Sequence, residues 1–430
     1  MAWRIIVILA LGSAFLTPVA GAAGPGAESM DPGASPIPEV LTLDGAVDLF
    51  LRRNLALEAA RLQVSVAEAE IIGARLHPRP TMNVAAENLR VAGEVPFNQL
   101  YEAGATVLQP IELGNRITVR SEHAAFYQTA AKANLAAVLQ RRLYELKRAF
   151  FEALLQRNLL DLAAYIRKDF EELVRFNTAR FREGYISEGE LLKARLELVK
   201  YDAAVRQAGL SRQQANIRLL EMLGERSFEK APVLELRGVM PLSPEPFALP
   251  ELQRSALVNR KDILAAESEA ARAGASVRLE RSRAHGEIVP FAGYKRVGPD
   301  DTVLAGILIP LPFGNRNQAG IARAQAEQRL AESNLLLARN RAMAEVESAY
   351  RAHEVAAQQV KWYEQEILRQ ADESLAITMA AYREGGVDII ALLDSQRTRS
   401  EVRANYYRAV FDFRSSILLL EQARGSDLGP

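Results

Sequence analysis

The chain has 430 residues, with 53 Lys+Arg against 53 Asp+Glu, a formal net charge of +0 and no cysteine. The charge balance gives no basic face for general nucleic-acid binding, and the lack of Cys excludes disulfides, thiolate sites and lipid-modified cysteines. Aromatic content is 7%, and Ala, Leu, Arg and Glu dominate the long runs, a bias that suits extended helices packed closely through small side chains.

Residues 1–22 read as an export signal: Arg4 supplies the charge, Ile5 to Leu16 the apolar stretch, and Ala20-Gly21-Ala22 a small-residue cleavage site. Residues 23–40, rich in Pro, Gly, Ala and Ser, read as a disordered leader. Nowhere else is an apolar run long enough for a transmembrane helix.

A first structural repeat is expected over 41–226. Leu43 to about His77 has helical spacing, and His77-Pro78-Arg79-Pro80 ends it, because proline disfavours helix at the residue before it. A β-hairpin follows over 81–110. Met82, Val84 and Ala86 alternate with polar or small residues, Val91 to Asn98 makes the loop, and Tyr101, Ala103, Ala105 and Val107 share one face of the second strand. Then comes a long helical hairpin over 116–223. Its outgoing helix to about Phe181 would be about 100 Å long at about 1.5 Å per residue. Two adjacent apolar stripes, one through Leu146 and Phe150 and one through Ile166 and Phe170, give it a partner on each side. The return helix from Glu188 to about Leu223 is shorter, and the 58–76 helix has the length to stack end to end with it.

The hairpin turns at Arg182-Glu183-Gly184. Glycine reaches the left-handed conformation without a Cβ clash, and Ser187 with Glu190 has the spacing of a capping box. A linker, 227–250, holds five prolines. The programme then repeats over 251–425: a helix from Leu252 to Ala284, a β-hairpin over 287–312 and a helical hairpin over 316–423 that turns at Arg383-Glu384-Gly385. Gly114-Asn115-Arg116 recurs as Gly314-Asn315-Arg316, and Leu191-Leu192 as Leu392-Leu393. Tandem duplication is the strongest organisational signal. Each repeat has only two apolar-faced strands, and the resulting four cannot close a membrane barrel, for which about eight is the practical minimum. Copies must pool their strands so that every backbone group is satisfied in lipid.

On these motifs, above all Leu108-Gln-Pro-Ile-Glu-Leu-Gly-Asn-Arg116, Arg182 to Leu192, and Tyr382-Arg-Glu-Gly-Gly through Arg397, the chain resembles the TolC family of outer-membrane efflux proteins over nearly all of its mature length. Glu112-Leu-Gly-Asn-Arg116 and Leu311 to Gln318 look most like the CzcC-like heavy-metal efflux branch. The resemblance implies a mainly α fold with a small β part: long helical hairpins forming a periplasmic α-barrel, and four strands per protomer in a trimeric, twelve-stranded barrel in outer-membrane lipid. It implies a homotrimer, a periplasmic adaptor and an inner-membrane pump of the resistance-nodulation-division type. The channel would be a passive duct, an enzyme of no kind, with no cofactor. An exit duct for drugs or for type I protein secretion is the alternative, and a periplasmic coiled-coil adaptor a more distant one, because an adaptor would normally have a single hairpin flanked by β domains.

Within that resemblance the tips offer an adaptor-docking surface: Arg182, Gly184, Ser187, Glu190 and Leu191, with Arg383, Gly385, Leu392 and Leu393 in the second copy. The plainer reading is turn and cap chemistry. Asp394 falls where the family carries acidic residues around a closed periplasmic aperture. The other acidic position is Ala391 here, and Asp388 is a nearby substitute. Three carboxylates near one axis would repel one another and favour bound cations. The plainer reading is a helix-surface ion pair with Arg397. The four histidines, His77, His123, His285 and His353, show no metal-ligand spacing, so no metal site is expected. Nor is there a Ser-His-Asp set, a P-loop or a dinucleotide fingerprint.

Overall fold

The computed structural model describes residues 37–89, 94, 99, 101–226, 228, 234–238, 247–311 and 313–425. The export signal, the leader as far as residue 36, most of the 91–98 loop and most of the 227–250 linker lie outside the described residues.

The leader gives way to structure before residue 40. Ile37 and Leu41 are buried, and β1 (Val40–Leu41) pairs in parallel with a distant strand in the linker, Glu235–Leu236. In chain order the strands are β1, β2 (Thr81–Glu87), β3 (Glu102–Leu108), β4 (Ile111–Glu112), β5 (Glu235–Leu236), β6 (Glu287–Val297) and β7 (Asp300–Leu308). A two-residue strand leaves no periodicity to read, so β1 and β5 are invisible in composition. Both lie in the cluster built on Phe50, Leu57, Leu146, Phe150, Leu154, Leu219 and Leu223.

The expected 43–77 helix is two helices, α1 (Leu43–Arg53) and α2 (Leu55–Arg75). Asn54 makes the break: its Oδ1 accepts from Leu57 N–H at 3.0 Å, and its Nδ2 donates to Met222 O at 2.9 Å. The outgoing helix α3 (Arg116–Arg182, 67 residues) returns as α4 (Glu188–Met222, 35 residues). The bond from Asn54 to Met222 therefore sets the end of α4 against the start of α2, and both pack along α3. The second repeat divides in the same way. The expected 252–284 helix is α5 (Leu249–Asn259) and α6 (Lys261–Arg283), broken at Arg260, whose guanidinium reaches Asp262 and Glu345, both at 2.6 Å. A Cβ on Gly425, at the end of the last helix, would stand 2.7 Å from Arg260 N.

The second outgoing helix is not uniform. It runs as α7 (Gln318–Trp362), a π-helical turn (Tyr363–Ile367) and α8 (Leu368–Arg383), and returns as α9 (Ile389–Arg424). Its cause lies in the duplication. Arg182 follows Arg116 by 66 residues, whereas Arg383 follows Arg316 by 67. A π turn absorbs one extra residue without rotating either flank. Near the strands, where α2 and α6 flank α3 and α7, the buried residues are mostly alanines, among them Ala67, Ala74, Ala124, Ala131, Ala273, Ala275 and Ala324. Larger cores lie farther along.

The two hairpins join in one antiparallel sheet in the order β2-β3-β6-β7, with β4 carrying on from β3 beside the start of β6. Residues paired across an antiparallel ladder share a face. One face presents Met82, Val84, Ala105, Val107, Ala292, Val303 and Ile307. The other presents Asn83, Glu87, Glu102, Thr106, Lys295 and Thr302, with an ion pair between Lys295 and Glu102. Met82, Val84, Val303 and Ile307 are all exposed. Gly104 and Gly293 stand on the polar face, where a Cβ would come within 2.8 Å and 2.6 Å of the neighbouring strand's backbone oxygens. A sheet missing side chains at such points can curl toward that face. The outer edges of β2 and β7 have no strand partner among the described residues. No helix among those residues is long and apolar enough to cross a membrane.

Candidate functional site

Both tips are built by the same backbone chemistry. At the first, Gly184 has φ +81°, Gly184 N–H donates to Phe181 O at 3.0 Å, and Tyr185 N–H donates to Arg180 O at 2.9 Å. Those two bonds make a Schellman stop, which satisfies carbonyls the helix end would otherwise leave open. Gly385 repeats it, with Gly385 N–H to Tyr382 O at 3.2 Å and Gly386 N–H to Ala381 O at 2.8 Å. Restart differs between the copies. Ser187 and Glu190 form a reciprocal capping box: Ser187 Oγ accepts Glu190 N–H at 3.2 Å, and Glu190 Oε2 accepts Ser187 N–H at 2.8 Å. In the second copy Asp388 caps alone, its Oδ1 accepting Ala391 N–H at 3.0 Å. Ala391 stands where Glu190 would close the box.

The tips are tied to each other. Phe170, Leu173, Ala194, Tyr382, Ile389 and Leu392 form one apolar cluster drawn from both hairpins. Tyr382 Oη donates to Asn177 Oδ1 at 2.8 Å inside it, and the Arg180 guanidinium lies 5.2 Å from the Tyr382 ring centroid. Above it, Asp372 on α8 accepts from Arg399 Nε at 2.7 Å and from Arg403 Nη2 at 3.0 Å, both on α9. Burial alone would raise the Asp372 carboxyl, but these two guanidinium groups outweigh it and hold the carboxyl below its ordinary value.

The expected docking set therefore divides. Arg182, Gly184, Ser187, Arg383 and Gly385 are exposed. Leu191 and Leu392 are not: they are 4% and 0% exposed, because the first turn of each return helix points its apolar side into the protomer. Leu393 and Glu190 are half-buried, and the Glu190 carboxylate is engaged in the cap. Their neighbours Leu192 and Ile390 take the outward positions. Asp394 is exposed and makes no ion pair with any described residue. Arg397, its expected partner, turns instead toward Glu197 on α4 at 3.7 Å. Asp388 spends its carboxylate on the helix cap.

At the other end, the junction between helix and strand is an ion-pair lock between the repeats. Arg116 Nη1 meets Glu287 Oε1 at 2.5 Å and its Nη2 donates to Gly286 O at 2.9 Å. Arg120 Nη1 meets Glu112 Oε1 at 2.7 Å, and the same side chain donates to Ala74 O and Leu76 O. The Gly-Asn-Arg motif pointed to this place; its distant partner Glu287 left no local signal. Asn177, Asp372 and Arg403 were missed for the same reason, since each acts on a residue of the other hairpin or the opposite helix. The histidines are scattered. His353 lies between Phe247 and Phe413, its Nδ1 3.0 Å from Ser416 Oγ, and burial lowers its pKa. His123 is lowered first by burial and then by Arg272 and Arg283. No group of three or more His, Cys, Asp or Glu among the described residues could hold a metal ion.

Comparison with known proteins fits this geometry. The family model described as outer membrane efflux protein matches residues 46–225 and 252–426, one match per repeat. The chain is 28% identical over 418 residues to the cobalt-zinc-cadmium resistance protein CzcC of Cupriavidus metallidurans, covering 94% of this chain and 95% of that one. Its fold is similar to that of CusC, with a TM-score of 0.75, 19% identity, and coverage of 89% of this chain and 92% of that one. It is also similar to the outer membrane protein VceC of Vibrio cholerae, with a TM-score of 0.74, 16% identity, and coverage of 90% and 97%.

Proposed function

The chain belongs to the outer membrane efflux protein family, and from that premise we propose that it is the passive exit duct of a tripartite heavy-metal efflux system. It sits in the outer membrane and extends into the periplasm. Three copies pool their sheets into a twelve-stranded barrel and their helices into a tube. An adaptor joins the tips to an inner-membrane pump of the resistance-nodulation-division type, and the pump chooses the cargo. The observation that carries the reading is the sheet: an apolar exposed face, a polar opposite face and two edges with no strand partner among the described residues, set on described helices none of which is long and apolar enough to cross a membrane. Lipid tolerates no open strand edge, so the edges must pair with those of further copies of the chain.

Likeness to a cobalt-zinc-cadmium resistance protein across nearly the full length supports metal cations as cargo. The two repeats, bounded at 41–226 and 251–425, each supply one tip. On those tips the docking surface is the exposed set Arg182, Gly184, Ser187, Arg383 and Gly385, with Leu192 and Ile390 replacing the buried leucines. Asp394, exposed and unpaired among the described residues, is the gate carboxylate. The test is deletion of the gene in its own host. Sensitivity to cobalt, zinc or cadmium is expected to rise, with recovery on re-expression. Sensitivity to drugs alone would move the cargo to the drug class, and a detergent extract with the native mass of one chain would overturn the trimeric duct.

A further inference from the structure

The two hairpins are copies, but their strands are offset by different amounts. The second strands lie 200 residues apart, as Leu108 and Leu308, Pro110 and Pro310, and Gly114 and Gly314 show. The first strands lie 208 apart: Arg75 and His77 precede one, Arg283 and His285 the other. The ladders agree independently, since Thr81 pairs with Leu108 and Val289 with Leu308, so Thr81 stands where Val289 does.

One repeat is seen docking on the other inside the chain: β3 lies against β6 with Leu108 opposite Phe291 and Ala105 opposite Tyr294. Resting on the trimeric reading above, we propose that β7 docks on β2 of a second copy of this chain in the register given by the two offsets. Leu308 then stands opposite the partner subunit's Asn83, Ile307 opposite the partner subunit's Val84, and Leu304 opposite the partner subunit's Glu87.

Two features of the structure meet in this register. Ile307 and Ala305 lie on the apolar face of β7, and Val84 and Ala86 on the apolar face of β2, so the outer surface continues unbroken across the seam. A slip of one residue would turn one strand's apolar set onto the polar face. Backbone direction agrees as well. Gln109 N–H donates to Pro290 O at 3.1 Å, and because ladder groups alternate in direction, the odd-numbered residues of β3 face β6. The matching residues, Ala305 and Ile307 of β7 and Ile309 just beyond its end, then turn outward. On β2 the outward set is Met82, Val84 and Ala86, and the register brings these two sets together.

Slips of two residues preserve both faces and are what the experiment separates. The chain has no Cys, so introduced thiols report alone. Asn83→Cys with Leu308→Cys forms a non-hydrogen-bonded pair, with Cα atoms about 4.5 Å apart, inside disulfide range. Thr81→Cys or Ala85→Cys with Leu308→Cys reports the slipped registers, in which the proposed pairing leaves the thiols on a diagonal. Under mild oxidation in outer-membrane extracts, the 83/308 variant is expected to give reducible bands of two and three chains, with the slipped pairs unlinked. Glu87→Cys with Leu304→Cys is a second pair in the same register, should the first fail to assemble. Linking of a slipped pair instead, or no linking in any variant whose native mass stays trimeric, overturns the register and leaves the duct standing. A native mass of one chain for the unsubstituted protein removes the duct and the register together.

Discussion

Gly184 has φ +81°, and a Cβ built on it would meet nothing within 4 Å. Space is therefore not what demands glycine; backbone conformation is. A β-branched residue in the left-handed region costs roughly 1–2 kcal/mol, enough to distort one solvent-exposed turn and too little to unfold a long helical hairpin. Gly184→Val is expected to abolish metal resistance while the trimer still reaches the outer membrane, and Gly184→Asn to keep most of it. Retained resistance in the valine variant would leave the tip as a turn and nothing more. Asp394 has no described partner to lose, so Asp394→Ala should leave assembly intact and change cation block in single-channel conductance; an unchanged block removes the gate assignment. Asp372 is the opposite case, a carboxylate with two partners. Its folded-state pKa lies below the ordinary 3.8, so its contribution is present above that value and is lost as pH falls through the lowered one. The side chain is 44% exposed, which discounts the clamp to roughly 0.5–1 kcal/mol. Hydrogen exchange should show α8 less protected in Asp372→Asn than in the parent at pH 7, with the difference gone in strong acid. The caps could be read from sequence because Ser187 and Glu190 lie three residues apart. Asn177 with Tyr382, and Asp372 with Arg403, could not, since only the packed helices bring them together.

At the scale of elements the same division holds. The periodic runs announced α3, α4 and both hairpins to within a few residues. The breaks at Asn54 and Arg260 were hidden because each side chain reaches a distant group, Met222 O in one case and the Glu345 carboxylate in the other. The π turn was hidden differently. Its signal was present as unequal spacing between Arg116–Arg182 and Arg316–Arg383, but a count of residues does not say where the extra one lies. Ala124, Ala131 and Leu146 match Ala324, Ala331 and Val346 at an offset of 200, whereas Phe170 matches Ala371 at 201, and all are buried. The insertion thus lies between residues 346 and 371, and Tyr363–Ile367 is where the helix takes it up. Deleting Glu366 should restore continuous α-helix with both flanks keeping their faces, so assembly and resistance survive. Deleting Asp161 from α3, which has no such turn, must rotate everything beyond it by about 100° and take Ile166, Phe170 and Leu173 off their buried side. Native mass after detergent extraction separates the two outcomes.

For the whole molecule, the proposed trimer would make two seams from one duplicated design and leave them unequal. Inside the chain the β3–β6 seam is fastened by Arg116 to Glu287, with Glu112 and Arg120 beside it. By the same sequence offsets, the proposed seam between copies would carry Arg316 for Arg116, the partner subunit's Arg79 for Glu287, and Pro312 for Glu112. In that register an attractive pair would give way to two like charges, and the seam between copies would rest on strand pairing and the apolar outer face. That is where a trimer should part first on heating, before either hairpin unravels. Arg79→Glu rebuilds the missing pair three times around the ring. An exposed pair is worth at most about 1 kcal/mol, but three act on one dissociation, and the repulsion they replace is removed as well. The temperature at which the trimer dissociates in detergent is expected to rise by several degrees, and Arg79→Glu combined with Arg316→Glu to bring it back down, since that restores like charges of the other sign. A dissociation temperature indifferent to both changes would mean that Arg79 and Arg316 do not face each other across the ring, and that the seam between copies does not repeat the seam within one.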